Sequence, residues 1–129
     1  MRRIFLLSAF LAGCAAPPQE PSETAPPPPP PETPLARETV AIAGLMESAR
    51  SDAAAGRLLQ AAASLERALR IEPRNPRLWH ELAKVRLRQG DAGQAANLAA
   101  RSNSFAGSDG AMRAANQSII EQARTQRLR

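Results

Sequence analysis

The sequence predicts an all-α domain of short, closely packed helices, and three observations lead there. Aromatic residues make up only 3% of the 129 and tyrosine is absent, whereas a sandwich or barrel leans on aromatic and β-branched residues. Alanine, arginine and leucine dominate instead, the composition of helices that approach through small side chains. Apolar residues recur at helical spacing between glycine and proline breaks. The single cysteine excludes a disulfide framework and a cysteine-based zinc site.

The first segment is not part of that domain. Met1, Arg2 and Arg3 form a positive start and Ile4 to Ala12 a short apolar run. Crossing ~30 Å of hydrocarbon takes about 20 residues, so the run reads as a signal peptide over residues 1–13 and not as a mature span. Leu11-Ala12-Gly13-Cys14 resembles the bacterial lipobox. That resemblance implies cleavage after Gly13 and lipidation of Cys14, the covalent lipid being the one non-protein group expected. Two or more acyl chains hold a protein stably on a membrane. Neither Ala15 nor Ala16 is the aspartate that retains many such proteins at the inner membrane, so the resemblance implies the outer membrane, with the domain facing the periplasm.

Residues 14–34 form the second segment, a proline-rich linker expected to be disordered. Ten of the 12 prolines lie in residues 17–34, and Pro26 to Pro31 are unbroken. Nothing here can bury apolar surface, and consecutive prolines prefer the polyproline II form at ~3.1 Å per residue. Twenty such residues would reach on the order of 60 Å, which suits a spacer better than a ligand for a proline-recognising domain in the periplasm. The linker carries Glu20, Glu23 and Glu32 and no base, whereas residues 35–129 hold 15 Lys or Arg against nine Asp or Glu. Outside the cytoplasm such a basic domain faces an acidic partner or the anionic envelope, not nucleic acid.

The third segment, residues 35–129, is the helical head. From about Arg37 to Ala55 the positions Val40, Leu45, Met46, Ala49 and Ala53 are assigned to one apolar side. Gly56 breaks that helix, and the next runs to Ile71 with Leu58, Ala62, Leu65 and Leu69 at its seam. Asn75 and Pro76 read as an N-cap followed by proline at the first helical position. The third helix presents Leu78, Trp79, Leu82 and Ala83; Gly90 and Asp91 stop it and cap a fourth, rich in Ala92, Ala95, Ala96 and Ala99. After a loop over Ser102 to Gly107, Ser108 and Asp109 open a fifth helix carrying Met112, Ala115, Ile119, Ile120 and Ala123. Such a helix, with one polar face, is what a repeat array needs as a terminal cap.

A shift of ~34 residues superposes Gly56 on Gly90, Ala61 on Ala95, Leu45 on Trp79 and Ala49 on Ala83. On these positions the chain resembles the tetratricopeptide-repeat family over about Ile42 to Ala106, with two repeats before the cap. The usual tyrosine position holds Asp52 in one copy and Arg86 in the other, and Ala99 and Ser102 replace a later aromatic and alanine. Fewer than about three units rarely suffice alone, which leaves room for packing by the segment before Ile42 or for a homodimer.

In that family the first helix of each repeat lines a concave groove. By register this implies Ala43, Met46, Arg50 and Ala53 from repeat one, and Arg77, His80, Lys84, Leu87 and Arg88 from repeat two. Arg50, Arg77, His80, Lys84 and Arg88 are the candidate partner-binding residues, a basic strip for carboxylates or an acidic loop; an ordinary solvated face, with Glu81 beside it, is the alternative. Trp79 is assigned to helix packing, and Phe105 is left between core and contact. His80 is the only histidine. No second ligand completes a metal site, no nucleophile–base pair is in sight and no glycine-rich phosphate loop exists, so neither an enzyme nor a cofactor is expected.

A lipid anchor, a proline tether and a small helical head together resemble the outer-membrane lipoprotein activators of class A penicillin-binding proteins, whose pseudomonad type carries a tetratricopeptide-repeat head. The resemblance implies a protein partner, the bifunctional peptidoglycan synthase, stimulated by docking of the head. The alternative is a scaffold or pilot lipoprotein assisting assembly of an outer-membrane complex, although such relatives usually carry more repeats.

Overall fold

Each turn of the head can be traced to the residue that stops one helix or starts the next. The computed structural model describes residues 34–129; the expected leader, Cys14 and the proline tether lie outside the described residues. The helices are α1 Pro34–Ala54, α2 Leu58–Ile71, α3 Pro76–Arg88, α4 Ala92–Phe105 and α5 Gly110–Arg127. Pro34 opens α1 one residue ahead of the expected domain start, its fixed φ and missing N–H suiting the first helical position.

The two repeats share a backbone as well as a composition. Gly56 and Gly90 both take left-handed conformations, φ 77° and 84°. The Gly56 N–H donates to Ala53 and that of Arg57 to Asp52; one repeat later, Gly90 donates to Leu87 and Asp91 to Arg86, all at 2.8–3.1 Å. This is the Schellman pattern, which satisfies carbonyls that a helix end would otherwise leave bare. The starts are capped as expected: Asn75 Oδ1 accepts from the Arg77 N–H, and Asp91 Oδ1 from that of Gln94. Asp109 Oδ1 accepts from the Met112 N–H. Asn75 and Asp109 lie one repeat apart, so α5 takes the place of the first helix of a third repeat.

Each helix packs on its neighbour in sequence, and α3 also meets α5. Ala61 and Ala95, fully buried, sit at equivalent places in the two hairpins, as do Ala49 and Ala83; side chains this small let the helices approach closely. Leu65 and Leu78 fill the space between the repeats. A second cluster, Ala83, Leu87, Ala95, Ala99, Ile119 and Ala123, seats the cap, and Leu98 touches both clusters.

Three expectations need correction. Val40 is exposed and Ile42 is buried instead; at about 100° per residue the two point some 200° apart, and Ile42, not Val40, continues the stripe of Leu45, Met46, Ala49 and Ala53. The stretch from Ser102 to Phe105 is helix, not loop. Its serines and asparagine are weak helix formers, but the Ser102 side chain is fully buried and its hydroxyl donates to the Pro76 carbonyl at 2.8 Å, a tertiary tie that overrides propensity. Ala115 is exposed because α5 is covered only by α3 and α4. Trp79 packs against the first cluster as assigned, half-buried, while its indole N–H donates to the Pro73 carbonyl at 2.8 Å.

Candidate functional site

On α1 and α3, residues three or four apart share a face, and the two faces enclose one groove. Met46, Ala49, Arg50, Ala53 and Ala54 come from α1, Glu81, Lys84, Val85 and Arg88 from α3, and Leu65 from the floor. The groove therefore has an apolar base with three cations and one carboxylate around it. Lys84 Nζ lies 2.9 Å from Glu81 Oε2, and Arg50 is 3.7 Å from Glu47. Exposed ion pairs of this kind contribute roughly 0–1 kcal/mol, so either cation can exchange its local carboxylate for a partner's at small cost. Arg88 has no ion pair among the described residues.

The five predicted binding residues are not one strip. Arg50, Lys84 and Arg88 share the groove. His80 lines a neighbouring hollow between α3 and α5, together with Lys84, Arg88, Leu87, Ala115 and Ile119, so Lys84 and Arg88 stand on the ridge between the two. Arg77 is exposed in the first turn of α3 and lines neither, as does Ala43 on α1. Of the other residues expected by register, Met46 and Ala53 are in the groove, and Leu87 is buried in the second cluster.

His80 has a structural tie that the sequence did not announce. Its Nδ1 is 2.8 Å from Asn116 Oδ1, and Asn116 is fully buried. The Asn116 amide nitrogen donates to Ser102 Oγ and to Asn103 Oδ1, both at 2.8 Å. With both amide hydrogens spent, Asn116 Oδ1 is the acceptor and His80 Nδ1 carries the proton, a tautomer assigned from the network. The only histidine thus bonds an amide and holds α5 against α3; it has no hydroxyl or thiol to activate. Among the described residues no group of histidine, aspartate and glutamate side chains is gathered as a metal would require. Nor is any helix among them long and apolar enough to cross a membrane.

The tetratricopeptide-repeat family model matches residues 52–119, from the end of α1 to the middle of α5. The globular C-terminal domain of P. aeruginosa LpoP is similar in sequence and structure, at 42% identity and a TM-score of 0.66, over 67% of this chain and 82% of that one. No curated protein matches the chain.

Proposed function

The chain belongs to the tetratricopeptide-repeat family and is LpoP-like, and from that premise we propose that it is an outer-membrane-anchored periplasmic lipoprotein that binds and stimulates a class A penicillin-binding protein. The fold is one of binding and regulation, not of catalysis. The observation that carries the reading is the likeness of the head to the LpoP domain over most of that domain's length. The lipobox-like run ending at Cys14 and the proline-rich stretch before α1 supply the anchor and the spacer that such a protein needs.

The α1–α3 groove is the docking surface in this account. Its floor accepts an apolar side chain, and Arg50, Lys84 and Arg88 receive carboxylates of the synthase. His80 contributes indirectly, by fixing α5 against α3, the helix that itself bears Lys84 and Arg88; Arg77 lies outside the surface. Stimulation needs no chemistry from the head. A head that binds the active conformation of the synthase more tightly than the resting one shifts the population by that difference in affinity.

Binding of the head to detergent-purified class A synthases of the same organism tests this. Reversal of the groove charges in Lys84→Glu/Arg88→Glu is expected to weaken the complex by about ten-fold or more, as loss of charge complementarity does, with helicity unchanged by circular dichroism. Unchanged affinity would remove the groove from the interface, and no binding by the wild-type head to any class A synthase would remove the partner.

A further inference from the structure

The face of α3 opposite the groove carries a second site. Trp79, Leu82 and Arg86 follow one another at helical spacing on that face, and with Leu69 and Arg70 of α2 and Leu98 and Arg101 of α4 they line a cleft between α2 and α4. The Arg101 guanidinium lies 4.6 Å from the centre of the Trp79 ring, well within the ~6 Å of a cation–π contact. The indole is itself fixed through its bond to Pro73. Stacking uses the plane of the guanidinium and leaves its N–H fork, which is at the edge, for an acceptor.

That acceptor is missing. Arg86 is paired with Glu66 at 2.6 Å, but neither Arg70 nor Arg101 has an ion pair or a side-chain hydrogen bond among the described residues. Arg74, in the turn beside the cleft, lies 5.8 Å from the centre of the Phe105 ring and is likewise without a carboxylate. The cleft thus combines an apolar floor, a tryptophan tied to the Pro73 carbonyl, Arg101 held over its ring and an unpaired Arg70, while its one carboxylate, Glu66, is already taken by Arg86; tryptophan and arginine are residue types in which interface energy concentrates.

We propose that this cleft is a second docking surface, specific for an acidic protein segment that places a carboxylate between Arg70 and Arg101 and an adjacent apolar side chain on Leu69, Leu98 and Trp79. A bidentate carboxylate satisfies the guanidinium fork, and an apolar neighbour covers the floor. The proposal is separate from the synthase reading and uses a different face. It gives the head a way to hold two acidic partners, or two segments of one, at once.

The chain has one tryptophan and no tyrosine, so Trp79 is the natural reporter. The chain from Ala15 onward is panned against a library of short random peptides that lack tryptophan and tyrosine, and the selected peptides are titrated while Trp79 emission is followed. The expected result is an acidic consensus with a neighbouring apolar residue, binding that shifts Trp79 emission, and a Kd raised about ten-fold or more by Arg70→Ala or Arg101→Ala but unchanged by Lys84→Glu/Arg88→Glu. Arg101→Lys keeps the charge, loses the stacked fork, and is expected to fall between. Three results would each overturn the proposal: no acidic consensus, acidic peptides lost with the Lys84/Arg88 reversal but indifferent to Arg70 and Arg101, or a self-associated chain that Arg101→Ala dissociates, which would make a second copy the occupant.

Discussion

Asn116 is the residue on which the seating of the cap turns. It bonds His80 of α3 and both Ser102 and Asn103 of α4 from inside the protein, and replacing one member leaves buried groups without partners, at about 1–3 kcal/mol each. Asn116→Ala is therefore expected to destabilise the head by roughly 2–4 kcal/mol, read as a lower midpoint in denaturant. Ser102→Ala should cost less alone, and the double variant less than the sum, because both substitutions empty one network. Additive losses would mean that the network does not act as a unit. None of this was legible in the sequence: an asparagine in a helix carries no periodic signal, and its partners come from two other helices. The salt bridges that soften the groove cations were half legible, since Glu81 stands beside Lys84 in the sequence, whereas the stack of Arg101 on Trp79 joins distant positions that only the fold brings together.

Among the elements, the repeat spacing carried most of the information. Glycine at the two Schellman turns and Asn75, Asp91 and Asp109 at the helix starts are local devices, and local devices can be read from a sequence. Gly56→Ala and Gly90→Ala place a Cβ in the left-handed region and are each expected to cost about 1–2 kcal/mol, with no clash to add, since nothing lies within 4 Å of either site. The contrast is Gly44, in the interior of α1 and equally open: Gly44→Ala should stabilise the head by about 0.5–1 kcal/mol through helix propensity alone. Thermal unfolding of the three variants separates the two effects, and destabilisation by Gly44→Ala would mean that this part of α1 is not helical. What spacing left uncertain was decided by packing. Ile42 rather than Val40 continues the stripe of Leu45, Met46, Ala49 and Ala53, and it is the one covered against α2. The last turn of α4 forms against its own propensity because Ser102 is held by Pro76.

At the largest scale, two repeats and a cap enclose the core of the described residues. Ile119 and Ala123 of α5 cover Ala83, Leu87, Ala95 and Ala99, so a chain ending at Ala106 is expected to lose cooperative unfolding or to self-associate, as scattering and circular dichroism would reveal. Architecture was legible at this scale because the repeat imposes one backbone pattern twice. The proposed docking surfaces were less so, because a groove depends on how two helices cross, and register alone put Arg77 where the structure does not. For a head proposed to be a binding module that acts on a synthase, the most direct measurement is the glycan-polymerising rate of each purified class A synthase of the same organism, with and without the chain from Ala15 onward. The expected result is a rate increase with one synthase that the Lys84→Glu/Arg88→Glu chain fails to produce. An unchanged rate with every synthase, from a chain shown to be helical and cooperatively folded, would contradict it.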